Sequence, residues 1–116
     1  MKNLKKTNPR LIKLIRELRK LRNKEKAEIW GEVAENLIKP TRQMKKVNVW
    51  KINKITKENE TIIVPGKVLG YGDLNHRVNV AAYQFSEGAK SKISNNMLIE
   101  ELMLKNPKGD KVRVVS

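Results

Sequence analysis

The chain has 116 residues and no cysteine, and 39% of its residues are hydrophobic. That length suits one domain with its own core, and without cysteine the chain can form neither disulfides nor thiolate metal sites. Its 26 Lys and Arg against 12 Asp and Glu give a net charge of +14, which attracts polyanions, with nucleic acid as the first candidate and an anionic membrane surface as the alternative.

The distribution of apolar residues argues against a membrane protein. No apolar run approaches the roughly 20 residues of a membrane span. The N-terminal lysines are not followed by the apolar segment of a secretory signal. We therefore expect a cytoplasmic protein with no membrane partner.

The positive charge is concentrated in the N-terminal part of the chain. Residues 1–46 carry 15 basic and 5 acidic side chains, whereas residues 47–116 carry 11 and 7. Residues 1–8 are basic and lack an apolar period, which is typical of an arm that orders on binding. The sequence therefore predicts a basic arm over 1–8, a helical region over 9–46 and an α/β core over 47–116.

Two helices are predicted in the helical region. Asn8 suits an N-cap and Pro9 the first helical position of a helix over 9–23. Its apolar stripe consists of Leu11, Leu14, Ile15, Leu18 and Leu21, and its opposite face is basic, with Arg10, Lys13, Arg16, Lys20 and Lys24. The second helix, over 26–39, ends before Pro40 and buries Trp30. Its acidic face, which phosphate would repel, carries Glu25, Glu28, Glu32 and Glu35.

Short strands and helices alternate in the predicted core. Alternating apolar residues indicate a strand over 47–51 with a helical turn after it, and β-branched or apolar runs indicate strands at 61–64, 78–82 and 112–115. Ser86 suits the N-cap of a helix over 87–93. Residues 94–96 are predicted to break that helix, and residues 97–105 favour a further helix over a strand.

The segment between the strands at 61–64 and 78–82 is the strongest local candidate for a binding site. It holds three glycines and a proline, and Lys67, His76 and Arg77 place donors on it. A rigid cationic loop of this kind suits a phosphate chain, but the same glycines equally suit simple turns. Tyr71, between two glycines, could stack on a base or pack on its own loop, and His76 could contact RNA or be structural.

Nothing in the sequence supports an enzyme. A single histidine without cysteine offers neither a nucleophile beside a base nor a set of zinc ligands. The glycine segment GKVLGYG also lacks the GK[ST] ending of a phosphate-binding P-loop. We therefore expect no catalytic residue, no metal and no cofactor.

Several segments of the chain resemble one known family. The block VPGKVLGYGDLNHRVNVAAYQFSEGAKSKI, residues 64–93, is similar to the core motif of the archaeal and eukaryotic large-subunit ribosomal protein L-eighteen-e, a family related to the C-terminal half of bacterial L-fifteen. The opening Thr7-Asn8-Pro9, the segment at residues 39–42 and the ending at residues 106–114 also resemble it. The similarity follows nearly the whole chain in order.

The resemblance implies a fold, a function and partners. The fold would be an α/β domain of irregular β-β-α turns, preceded by N-terminal helices. The function would be that of a structural constituent of the large ribosomal subunit, with large-subunit ribosomal RNA and neighbouring ribosomal proteins as partners and no small-molecule substrate. Another RNA- or DNA-binding scaffold protein and a basic RNA-processing enzyme are the alternatives.

The predicted RNA-binding residues come from the basic faces and from the glycine-containing segment. They are Lys5, Lys6, Arg10, Lys13, Arg16, Lys20, Lys39, Arg42, Lys45, Lys46, Gly66, Lys67, Gly70, Tyr71, Asn75, His76, Arg77, Lys90 and Lys92.

Overall fold

A computed structural model describes residues 8–39 and 44–115 of the chain. The predictions for the arm, Lys5, Lys6 and Arg42 therefore lie outside the described residues. The elements in chain order are α1 (Pro9–Glu25), α2 (Glu28–Ile38), β1 (Lys45–Asn48), α3 (Val49–Ile55), β2 (Thr61–Leu69), β3 (Asn79–Phe85), α4 (Glu87–Lys92), β4 (Asn95–Leu98), α5 (Ile99–Lys105) and β5 (Val112–Val114).

The first helix begins and buries its apolar stripe as its sequence predicts. The Asn8 side chain accepts hydrogen bonds from the backbone N–H groups of Arg10 and Leu11, at 2.9 and 3.3 Å. The stripe residues Leu11, Leu14, Ile15 and Leu18 are buried. The helix ends at Glu25 and is capped by Lys26, which has a left-handed conformation (φ 54°); α2 then begins at Glu28.

Five parallel strands form one sheet. The order is β1-β2-β3-β4, and β5 also pairs with β2. The strand β1 pairs with Gly66–Leu69 and β5 with Thr61–Ile63, so the two share the edge of β2 that β3 leaves free. The sheet thus has β2 and β3 at its centre.

Helices cover both faces of the sheet. Ile63 and Ala81 point to one face and share a buried cluster with residues of α1, α2 and α5. Their sequence neighbours Ile62 and Val80 point to the other face, where residues of α3 and α4 complete a second cluster. This alternation follows from the two-residue period of a strand. The α/β class and the N-terminal helices are confirmed, and α1 and α2 share a core with the sheet.

The strand β2 is longer than predicted. The predicted strand stops at Val64, but β2 continues through Pro65 and Gly66 to Leu69. The register against β3 shifts between Val64 and Lys67, which marks a bulge at the proline. A bulge can accommodate a residue that lacks an N–H donor, so proline does not end the strand here.

Two further boundaries differ from the predictions. The predicted strand over 47–51 ends at Asn48, and Val49 instead begins α3 and is buried with Ile52. The predicted break at 94–96 is in part the strand β4, which pairs in parallel with β3. Both strands are only four residues long, so their pairing with β2 and β3 decides their conformation and local propensity does not.

The connection from β2 to β3, residues 70–78, crosses the sheet without a helix. It is shorter than the dozen or more residues that a parallel pair usually needs. It runs alongside α3 and the turn that follows, to which it is tied at four places. Backbone or side-chain hydrogen bonds join Trp50 to Tyr71, Asn53 to Asn75, Thr56 to His76 and Asn59 to Arg77.

Candidate nucleic-acid interface

The first basic surface is the solvent-facing side of α1. Lys13, Arg16 and Lys20 are exposed there and follow one another at intervals of three and four residues. That spacing places them on one face of a helix, while the apolar stripe holds the opposite face against the core. Three cations are therefore held in a row by a helix that is itself anchored by packing.

Arg10 belongs to this row by its sequence position, but the structure gives its guanidinium intramolecular partners. It donates to both carboxylate oxygens of Glu100, at 2.9 and 3.1 Å, and to the Tyr83 carbonyl oxygen at 2.8 Å. Its guanidinium carbon lies 4.2 Å from the centre of the Tyr83 ring. Arg10 therefore joins α1 to β3 and α5.

The pKa values of this pair follow from the contact. The hydrogen bond to Glu100 is the main cause that raises the pKa of Arg10. Burial alone would raise the pKa of Glu100, but hydrogen bonds and the positive charge of Arg10 outweigh burial and lower that pKa below its ordinary value. Both groups are therefore held in their charged forms at neutral pH.

The second basic surface lies on β1 and β2. Lys46 and Lys67 are register partners on these adjacent strands, and Lys45 is exposed next to them. None of the three salt bridges between described residues involves these lysines. Like charges opposite one another destabilise a sheet. A bound phosphate would relieve their repulsion.

Gly66, predicted as an RNA contact, is buried at the back of this surface. A Cβ atom on it would lie 2.0 Å from the Lys45 carbonyl oxygen. The glycine thus allows β1 to approach β2 at the bulge. Its contribution is to the sheet, and it offers no surface for a direct contact with RNA.

The third surface is formed by residues 70–72, where β2 ends. Gly70 packs on the backbone of Gly88 in α4, and Gly72, with φ +101°, packs on Trp50 in α3. Lys92 of α4 donates hydrogen bonds to the Gly70 carbonyl oxygen, at 2.7 Å, and to the Gly72 carbonyl oxygen. The loop is fixed on both sides, and the Tyr71 side chain between the glycines is 75% exposed.

The structural role of Lys92 and the position of Trp50 do not follow from the sequence. The role of Lys92 and the position of Trp50 depend on the packing of α4 and α3 against the loop at residues 70–72, and no local sequence pattern predicts that packing. Trp50 follows the end of β1 at the same distance as Tyr71 follows the end of β2. The register partners Asn48 and Leu69 each stand two residues earlier.

Arg77 lies beside the start of β2, whereas Tyr71 follows the end of that strand. The Asn59 N–H donates to the Arg77 carbonyl oxygen just before β2 begins. Lys67 lies six residues beyond Thr61, the first residue of β2, and so on the order of 20 Å from the start of that strand at the rise of an extended chain. The expectation that Lys67 and Arg77 lie on one loop is therefore wrong, because Lys67 belongs to β2. Parallel strands start at the same end of the sheet, so the connection must run back along the length of the strands before β3 begins.

The single histidine has a defined partner. The Thr56 hydroxyl donates to the Ile52 carbonyl oxygen at 2.6 Å and lies 2.9 Å from His76 Nε2. A hydroxyl has one proton, so Nε2 must carry the proton of the second hydrogen bond. His76 thus fastens the connection to the end of α3, while the side chains of Asn75 and Arg77 are exposed beside it.

The acidic face of α2 lies beside basic residues of α1. Arg22 forms a 3.4 Å salt bridge with Glu28, and the groove there is also lined by Arg19, Glu32 and Glu35. Mixed charge makes this groove less attractive to phosphate than the α1 face. The remaining predicted cations with described positions, Lys39 and Lys90, are exposed at the end of α2 and on α4.

Over residues 8–39 and 44–115, no group of His, Asp and Glu side chains is arranged to hold a metal ion. Nor is any helix in that part of the chain both long and apolar enough to cross a membrane.

Comparison with known proteins identifies the family. Residues 12–96 match the model of a family described as ribosomal proteins 50S-L15, 50S-L18e and 60S-L27A. The chain belongs to this family. The matched segment runs from α1 to β4, so it includes both basic surfaces and the loop at residues 70–72.

Relatives from three archaea match almost end to end, and each is called large ribosomal subunit protein eL18. The protein of Archaeoglobus fulgidus is 49% identical over 116 residues, which cover 97% of this chain and 99% of the relative. The protein of Methanothermobacter thermautotrophicus is 44% identical over 119 residues, covering 99% and 98%. The protein of Methanococcus maripaludis is 44% identical over 120 residues, and the alignment covers all of both chains.

Proposed function

We propose that this protein is a structural constituent of the large ribosomal subunit, in the cytoplasm, where it binds and stabilises ribosomal RNA. The family membership carries this proposal, and the basic surfaces of the described chain support it. Lys13, Arg16 and Lys20 on α1 and Lys45 and Lys46 on β1 are exposed, and Lys67 on β2 is half-buried. None of these side chains has a carboxylate partner in the described salt bridges. Such cations gain most from contact with closely spaced phosphates.

The surfaces differ in what they can recognise. Exposed lysines and arginines on a helix neutralise phosphates and release counterions, which supplies affinity without reading sequence. The loop at 70–72 is held by packing and by Lys92, so its groups can meet only RNA of a matching shape. We infer that α1 supplies affinity for RNA and that the loop fixes the position of the protein on the RNA.

We also propose that the protein has no catalytic activity. The family membership supports this, because the family is described as one of ribosomal proteins. The described hydrogen bond of His76 is internal to the fold, since its Nε2 lies 2.9 Å from the Thr56 hydroxyl, which donates to the Ile52 carbonyl oxygen. His76 therefore serves the fold.

Neighbouring ribosomal proteins are the second class of partner that we propose. Leu104 on α5 is 85% exposed, and Leu98 at the end of β4 is also exposed. These side chains lie on the elements that follow β3. Exposed leucines of this kind suit a protein neighbour better than a phosphate backbone.

Sedimentation with large ribosomal subunits at several salt concentrations tests the proposed function. The wild-type protein should remain with the subunits at moderate salt. Replacing Lys13, Arg16 and Lys20 together by Gln should weaken the association. It should also reduce the slope of log affinity against log salt by about 0.9 for each phosphate that the variant no longer neutralises.

The matched control replaces Glu28, Glu32 and Glu35 of α2 by Gln, which changes the same number of exposed helical charges in the opposite direction. This variant should bind at least as tightly as the wild type. If the wild-type protein does not associate with the subunits, the proposed function is wrong. If duplex DNA competes as well as ribosomal RNA, a general nucleic-acid scaffold is the better description.

A further inference from the structure

Two exposed aromatic residues follow the ends of the adjacent strands β1 and β2. Trp50 is 47% exposed and Tyr71 is 75% exposed. The backbone N–H of Trp50 donates to the Tyr71 carbonyl oxygen at 3.0 Å. This bond extends the alignment of β1 with β2 beyond Asn48 and Leu69, their last paired residues. Tyrosine and tryptophan usually bury most of their area, so an exposed adjacent pair needs an explanation.

The fold fixes the backbone on which this pair stands. A Cβ atom at Gly72 would lie 2.4 Å from Trp50 Cβ, so the loop is packed directly against the start of α3. On the other side, Lys92 holds the carbonyl oxygens of Gly70 and Gly72. The position of Tyr71 is therefore set by its neighbours although its ring is free.

We propose that Trp50 and Tyr71 form a stacking platform for unpaired bases of the RNA that the protein binds. This inference rests on the proposed function and adds a class of ligand, the exposed face of a nucleobase. Aromatic rings bind unstacked bases of any sequence because every base has a π-face. Because the backbones of the two residues are hydrogen-bonded to each other and held by the fold, only side-chain freedom is lost when a base binds.

The charges around the pair favour RNA over an apolar protein segment. Lys54 lies one helical turn after Trp50 in α3, and Lys92 borders the loop. Asp73 is the single carboxylate within residues 70–77. A base stacked here would bring its phosphate near lysines, as single-stranded nucleic-acid sites require. The exposed leucines Leu98 and Leu104 lie on other elements, β4 and α5.

The test uses two probes with the same number of phosphates, a single-stranded oligoadenylate and an RNA duplex. Filter binding gives the affinities, and the emission of Trp50 reports stacking. Trp30 is fully buried, so a bound oligonucleotide leaves its emission unchanged. The wild-type protein should bind the single strand more tightly than the duplex, and the single strand should quench Trp50.

Substitutions at Tyr71 separate stacking from apolar contact. Tyr71→Phe keeps the ring and should retain the preference for the single strand. Tyr71→Leu keeps apolar bulk without a ring and should lose roughly ten-fold in affinity for the single strand, with duplex binding unchanged. Leu104→Ala, at an exposed apolar site elsewhere, is the matched control and should change neither affinity.

Three results would overturn the platform while leaving the proposed function intact. They are equal affinity of the wild type for both probes, no quenching of Trp50, and Tyr71→Leu binding as well as Tyr71→Phe. In each case the protein would still associate with large ribosomal subunits. Failure of that association in the wild type would instead refute the proposed function and, with it, the platform.

Discussion

The contact between Gly70 and Gly88 allows a stability prediction whose sign depends on which of the two glycines is changed. A Cβ atom added at Gly70 would lie 2.6 Å from the Gly88 carbonyl carbon and 2.8 Å from the Ala89 nitrogen, both atoms of the α4 backbone. Ordinary contact begins at 3.4 Å, so α4 or the loop must move by roughly the difference. Overpacking of this kind typically costs about 1–3 kcal/mol, and we expect Gly70→Ala to lie in that range.

The reciprocal substitution is the matched control. A Cβ atom at Gly88 would lie 3.6 Å from Gly70 Cα, an ordinary contact. Gly88 is in the first turn of α4, where alanine is favoured over glycine by up to about 1 kcal/mol. Gly88→Ala should therefore be neutral or stabilising, although it adds the same methyl group to the same interface.

Urea unfolding of the two variants, followed by circular dichroism, measures both effects. The reasoning requires that Gly70→Ala lower the free energy of unfolding and that Gly88→Ala not lower it. Equal decreases would show that the interface is tight from both sides. An unchanged free energy of unfolding in Gly70→Ala would show that the loop moves freely. A mobile loop could not select RNA of a matching shape, so the role that we propose for residues 70–72 would then have no basis.

Three further predictions concern α1, its anchor and the bulge. Leu18→Ala should cost about 2–5 kcal/mol in urea unfolding because Leu18 is fully buried. Lys13→Ala, on the exposed face, should cost under about 0.5 kcal/mol, and similar costs in both would contradict the assigned faces. The pKa of Glu100 is lowered in the fold from an ordinary value of 4.5, so its contribution is present above that pH and is lost as the pH falls through the folded value. Glu100→Gln should thus flatten the acid side of the stability profile, and a profile parallel to the wild type would exclude the pair as a cause. Gly66→Ala should destabilise the protein more than Gly70→Ala, and hydrogen exchange should show faster exchange in β1.

The helices could be predicted from sequence because their signals are local. In α1, the cap at Asn8, the proline at the first position and the apolar stripe all lie within a few turns of one another. The core position of Trp30 also followed from its place on an apolar helix face, although its hydrogen bond to the Pro107 carbonyl oxygen did not. The basic face of α1 was predictable for the same reason, since burial of one face fixes the other.

The sheet could not be predicted in this way, because its pairings join distant segments. Short strands such as β1 and β4 exist through their partners in β2 and β3, and the bulge at Pro65 is stable because β1 lies against Gly66. Once the strands are parallel, the β2–β3 connection must cross the sheet. This crossing separates Lys67 from Arg77, although the two lie on one cationic segment of the sequence.

The candidate site shows the same division. Charge, the exposed face of α1 and the glycines around Tyr71 were determined by the sequence itself, since each depends on residue type and local spacing. The pairing of Arg10 with Glu100 across 90 residues, the support of the loop by Lys92 and the position of Trp50 beside Tyr71 were decided by the tertiary structure. Each of these depends on which elements pack together, and packing is set by the burial of apolar area over the whole core.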